Sequence, residues 1–303
     1  MNLLEIKRDL NKSALALLLY VLSVQILAVL LVLLLPLTKI PLLSDQYICM
    51  VISVIISYCL LDNIFPKETV TEPSPEKPSF SVLFFLHYFM LFQAAQWIGG
   101  IINIPIITLF TKLGLNLSFS EEAARGGSLT NAPMLFYTIL VAPLMEELVF
   151  RGIFYRRFRS YGKYFAAFYT AFFFALMHSN FLQFAPAFSM GMILFFIRDR
   201  HGLPYSILLH FSNNLLAIVV NNLSQDSTLI QGIYGGFLLA GMFYGIYFVL
   251  KNRTHFSEDY QYEKEHSLSL KQFFSSPLLW VDIVLMVALA CVSLFVPMDA
   301  GAM

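Results

Sequence analysis

The chain has 303 residues, of which 58% are hydrophobic and 13% charged. Soluble globular domains carry about 45–50% apolar and 25% charged residues, so a water-soluble globule is excluded and an all-α polytopic transmembrane helical bundle is expected. Nineteen basic residues balance nineteen acidic ones, which gives no reason to expect nucleic acid as a partner.

Lys7, Arg8 and Lys12 precede an uncharged stretch from Ala14 to Leu35. It is longer than a signal-peptide core and no small-residue cleavage site follows, so it reads as a retained first span. A crossing helix needs about twenty apolar residues. Runs near that length fall at 14–35, 47–65, 80–104, 132–150, 164–178, 181–197, 203–223, 229–250 and 277–297, which gives nine spans, with eight as the alternative count. Residues 1–65 form an N-terminal two-span segment, the Pro-rich stretch 66–79 reads as a flexible cytosolic linker, and 80–303 form the membrane core. Pro105 is expected to end the third span and send the rest along the interface. Spans five and six are short, about sixteen residues each, and suggest a hairpin that crosses incompletely or tilts little.

With the N-terminus in the cytosol, alternation puts fifteen basic residues inside and only Lys39, Lys112 and Arg125 outside, Arg151 being left aside as part of a motif. That asymmetry is what the positive-inside rule demands. Arg156, Arg157 and Arg159 read as a headgroup anchor. Gly232, Gly236, Gly241 and Gly245 suit close helix packing in span eight. Cys49, Cys59 and Cys291 show no paired or metal-binding spacing and read as small buried hydrophobes.

An ionisable side chain near the bilayer centre costs roughly 2.5–3.5 kcal/mol on insertion scales, so each needs a partner or a purpose. Spans four, five and seven collect several: Glu146, Glu147 and Arg151; His178; His210 and Asn214. Glu147 and Arg151 are four apart on one helix face with the acid first, the favourable order for an ion pair. Glu146 points about one hundred degrees away and is the spare carboxylate. Pro143 removes a backbone donor just before the acids, which should kink the helix and free a carbonyl. Counting 1.5 Å per residue from the cytosolic side, with Arg156 as zero for span four, puts Glu146, His210 and Asn214 about 10–16 Å deep and His178 at about 22 Å, too deep to meet His210 directly unless span five starts below the interface or is strongly tilted. His87 in span three has no spaced partner and reads as structural, and Asn213 as a packing group off the His210 face.

The ordered set Glu146-Glu147-x-x-x-Arg151, Phe174-x-x-x-His178 and His210-x-x-x-Asn214 resembles the CPBP family, which contains type II CAAX prenyl proteases and bacterial Abi proteins. The resemblance covers roughly residues 130–223. It implies an intramembrane glutamic endopeptidase without a cofactor, acting on a peptide or lipidated protein substrate in the lipid bilayer. Glu146 would be the general base and His178 would help to position the water. His210 and Asn214 would donate hydrogen bonds to the oxyanion, Glu147 and Arg151 would orient Glu146, and Phe174 would only pack.

Three rivals remain. A zinc metalloprotease would use Glu146, His178 and His210 as ligands. A non-catalytic scaffold or bacteriocin-immunity protein would tolerate loss of Glu146. A transporter would use the same groups as a proton relay, although no inverted repeat is visible. Short loops point to a bacterial plasma membrane, or the endoplasmic reticulum membrane in a eukaryote, and a cytosol-facing cavity is expected.

Overall fold

The structure is a computed structural model that describes residues 3–65, 81–125, 129–225, 227–266, 268 and 270–295. The proposed linker at 66–79 lies outside the described residues. The helices are α1 (Leu3–Leu34), α2 (Gln46–Ile64), α3 (Val82–Lys112), α4 (Ser118–Arg125), α5 (Ala132–Tyr161), α6 (Lys163–Met177), α7 (Phe181–His201), α8 (Leu203–Ser224), α9 (Thr228–Lys251), α10 (Arg253–His266) and α11 (Pro277–Ser293). Among the described residues there is no strand. Among the described residues seven helices, α1, α2, α3, α5, α7, α8 and α9, are long and apolar enough to cross a bilayer, and the apolar α6 and α11 have only 15 and 17 residues.

Polar contacts at the two ends show that the short helices also run the length of the bundle. At one end Asp9 accepts from Arg157 and Tyr161, Asp199 from Arg159 and Tyr155, and Asp259 from Lys163 and Tyr164, while Ser276 donates to Asn11. These contacts gather the start of α1, the α5–α6 turn, the end of α7, α10 and the start of α11. At the other end Asn180 donates to the Ser120 carbonyl, the Leu129 amide to Asn222, and Ser120 meets Ser293. The apolar helices therefore alternate direction, and two of the three arginines expected as headgroup anchors, Arg157 and Arg159, are tied to carboxylates at the basic end.

Several sequence expectations are corrected. Pro105 does not end α3, which continues to Lys112. One lost backbone bond inside a long helix is tolerable where neighbours support it, and Asn103 donates to the Leu182 carbonyl of α7 at 2.6 Å beside it. The sixth span is not short, because α7 runs on through Arg198 to His201. Arg198 is 6% exposed; it donates to the Arg151 carbonyl at 3.0 Å and lies over the Tyr155 ring, so protein rather than water solvates its charge. The charged segment 253–266, which lies between the predicted spans eight and nine, is the helix α10, held by Lys163 through both Asp259 and Glu263. Of the span-eight glycines only Gly241 and Gly245 sit where a Cβ would strike α3, at Gln93 and Ala94, while nothing lies within 4 Å of Gly232 or Gly236. A closer approach passed unnoticed in the sequence: a Cβ on Gly99 would fall 2.5 Å from the Pro186 backbone of α7. Cys49 alone of the cysteines is buried, and Cys59 is exposed on a span face.

Candidate active site

Helix α5 starts at Asn131, whose side chain caps the Met134 amide at 3.0 Å. Its ladder then widens into π-helical turns over Phe136–Val141 and Leu148–Phe154, on either side of the two glutamates. The first follows from Pro143. The Ala142 amide reaches back five residues to Tyr137, so the next donor in that register would be the missing N–H of Pro143, and the Thr138 carbonyl is left without one. Asn214 of α8 supplies the replacement, its Nδ2 donating to Thr138 at 3.1 Å. The free carbonyl expected from the sequence is therefore real, and the closing residue comes from the third motif. The second widened turn is where Arg198 reaches the Arg151 carbonyl.

Glu147 and Arg151 form the expected pair at 3.0 Å, with both side chains fully buried. Arg151 also donates to the Gly191 carbonyl at 2.9 Å and lies 4.6 Å over the Phe174 ring. A Cβ at Gly191 would sit 3.1 Å from the guanidinium and from Ala171 of α6, so a side chain there would have to push one of them aside by a few tenths of an ångström. Glu147 also takes a contact not foreseen: its Oε1 lies 3.0 Å from His210 Nδ1. A carboxylate neutralised by Arg151 accepts, so His210 Nδ1 carries the proton and donates. The buried pair thus orients His210 rather than Glu146.

Glu146 lies 3.6 Å from His210 Nε2, its side chain 18% exposed. His178 Nδ1 is 2.9 Å from the Phe174 carbonyl, which can only accept, so its Nε2 is the free nitrogen. Both imidazoles meet the Phe174 ring edge to face, with centroids 5.2 and 5.6 Å away, so Phe174 packs against both imidazoles and the guanidinium at once. The depth mismatch computed for His178 is corrected. Span four does not reach its end at Arg156 but winds on to Gly162, whose φ of 114° reverses the chain straight into α6. Counted from that turn, Glu146 and His178 are each sixteen residues away and share a level.

Glu146, His178, His210 and Asn214 line one cavity of 720 Å³. Glu146 and His178 also line a second, smaller one of 200 Å³ between α1, α2 and α5. Asn213, read as mere packing, borders the larger cavity and accepts from Gln96 of α3 at 2.8 Å. Tyr137 lines both cavities and Tyr20 the smaller, and neither stands out in sequence because tyrosines are common in apolar spans. His87 pairs with Tyr244 away from the site, as a structural residue would. Among the described residues no group of three or more His, Cys, Asp and Glu side chains is arranged to hold a metal ion.

Residues 128–216 match the model of the family described as type II CAAX prenyl endopeptidase Rce1-like. A Bacillus subtilis (strain 168) protein named "Putative membrane peptidase YdiL" is 23% identical over 197 residues, covering 62% of this chain and 78% of that protein. None of the solved structures matches the chain significantly. Both matches support a membrane peptidase, and the matched region carries the three motifs by which the chain resembles the CPBP family.

Proposed function

We propose that this protein is an intramembrane endopeptidase that hydrolyses a peptide or lipidated peptide with a water activated by Glu146. The observation that carries the reading is the division of labour between adjacent acids. Glu147 is consumed by Arg151 and His210, while Glu146 faces the cavity beside two imidazoles. A carboxylate that faces the cavity beside two imidazoles has the position to take a proton from water.

In the proposed reaction the water oxygen, held by Glu146 and the free Nε2 of His178, attacks the scissile carbonyl carbon and its proton passes to Glu146. The oxyanion is met by the second N–H of Asn214, whose first is spent on Thr138. His210 donates there only as an imidazolium, since its Nδ1 proton is given to Glu147. The C–N bond then breaks and the amine leaves with the proton from Glu146.

The test is incubation of purified protein with candidate membrane-proximal peptides, read by mass spectrometry, comparing wild type, Glu146→Gln, and wild type in strong chelator. Cleavage that survives the chelator and disappears in Glu146→Gln is expected. Loss on chelation with recovery on added zinc would replace this mechanism by a metal-dependent one, and cleavage by Glu146→Gln at the wild-type rate would refute it.

A further inference from the structure

Resting on the protease reading above, we propose that the substrate is presented from the membrane face opposite the basic end. The bond cut then lies in an internal, membrane-proximal segment of an extracytoplasmic peptide and not in a cytosolic C-terminal tail. This overturns the cytosol-facing cavity expected from sequence.

Most of the described residues that line the cavity lie on one side of Glu146. Glu146 lies fourteen residues from Ala132 and sixteen from Gly162, which places it about 21–24 Å from either end of α5. Beyond it the walls belong to the far end of the bundle: Tyr47 in the first turn of α2, Phe119, Glu122 and Ala123 on α4, and Met134 in the first turn of α5. In the other direction the space is filled. Phe150, Phe154 and Phe158 of α5, Tyr169 of α6 and Phe273 are all fully buried, with ring centroids 3.9 Å apart for Phe158 and Tyr169 and 5.6 Å for Tyr169 and Phe273. Below them Asp9, Asp199 and Asp259 bind α1, α5, α6, α7 and α10 together. The filled end is the one that carries most of the basic residues, and the positive-inside rule puts it in the cytosol.

The lining chemistry narrows the substrate. Gln96, Gln183, Asn213 and Asn214 offer neutral donors and acceptors, which is what the unpaired main chain of an extended peptide needs in a dry site. The same walls carry the acids Glu122 and Glu146 and, among the described residues, no lysine or arginine. A terminal carboxylate would meet no cationic anchor of that kind and two like charges, so a continuous segment fits and a free C-terminal tail does not.

The experiment uses the full chain with its three cysteines replaced and single cysteines introduced as Ala123→Cys at the rim, Ala217→Cys on the cavity wall and Ser160→Cys in the basic turn. A membrane-impermeant maleimide is applied to right-side-out and inverted vesicles. Ala123→Cys and Ala217→Cys should label in right-side-out vesicles, and Ser160→Cys only in inverted ones. Labelling of Ala217→Cys from the Ser160 face, or from neither face, overturns the proposal. In parallel, two single-span reporters carry the same peptide segment on one side or the other. Cleavage of the extracytoplasmic reporter alone is expected, and cleavage of the cytosolic one overturns the proposal. If neither reporter is cut while the labelling pattern holds, the access route stands and the protease reading is what fails.

Discussion

Replacing each of two neighbouring glutamates by glutamine should give opposite phenotypes. Glu147 is fully buried and its Oε1 receives both Arg151 and His210 at 3.0 Å. Glu147→Gln keeps the shape but leaves the Arg151 charge uncompensated inside the bundle, and removing one partner of a buried pair costs about 3–5 kcal/mol. Glu146, by contrast, has an 18% exposed side chain and its closest charged group is 3.6 Å away, beyond a hydrogen bond, so Glu146→Gln should change stability by less than about 1 kcal/mol. Activity should then fall by about 10²–10⁴-fold in Glu146→Gln, the usual contribution of a general base. Unfolding by sodium dodecyl sulfate in mixed micelles measures the first quantity and peptide hydrolysis the second. Equal destabilisation by the two substitutions, or a fully stable Glu147→Gln, would refute the assignment of one acid to structure and the other to chemistry.

The Thr138 carbonyl offers a double-mutant test. Asn214→Ala should cost about 1–3 kcal/mol by leaving a half-buried acceptor bare, and much less in a Pro143→Ala background where the backbone donor is restored; strictly additive losses would contradict the link. Gly99→Ala should destabilise by about 1–3 kcal/mol through its clash with the Pro186 backbone, whereas Gly100→Ala, with nothing within 4 Å, should be silent or slightly stabilising in the same unfolding assay. At the basic end, burial would push the Asp259 carboxyl up, but hydrogen bonds from Lys163 and Tyr164 outweigh it and hold the group below its ordinary value. The clamp on α10 is therefore at full strength above the ordinary aspartate value of about 3.9 and is lost as pH falls through the lower folded value. Hydrogen exchange in 253–266 should rise there, and Asp259→Asn should remove that pH dependence.

Among the described residues, the seven helices long enough to cross were legible because run length reports directly on the thickness of hydrocarbon to be crossed, and the two shorter apolar ones stood out as short runs or by composition. The Glu147–Arg151 pair was legible too, since four-residue spacing on one helix fixes a shared face. The contact between Glu147 and His210 was not, because helical periodicity says which residues share a face and nothing about what a second helix brings to it. Depth counting failed at His178 for a related reason. A cation marks the end of a span only when water solvates it, and Arg157, Arg159 and Arg198 are solvated by carboxylates, carbonyls and rings of the protein itself. Helix α10 was hidden because its polar sequence has no apolar stripe, and it is Lys163 that gives it a place to dock.

The stack of rings between the glutamates and the basic turn has a bioenergetic consequence. A carboxylate, two imidazoles and a wet chamber halfway through a bilayer are the parts of a proton wire. Five fully buried aromatic side chains interrupt that wire before it reaches the other aqueous phase. A proton that entered the chamber and reached Glu146 would meet that stack before the basic end, so the cluster can sit midway through the bundle without linking the two aqueous phases.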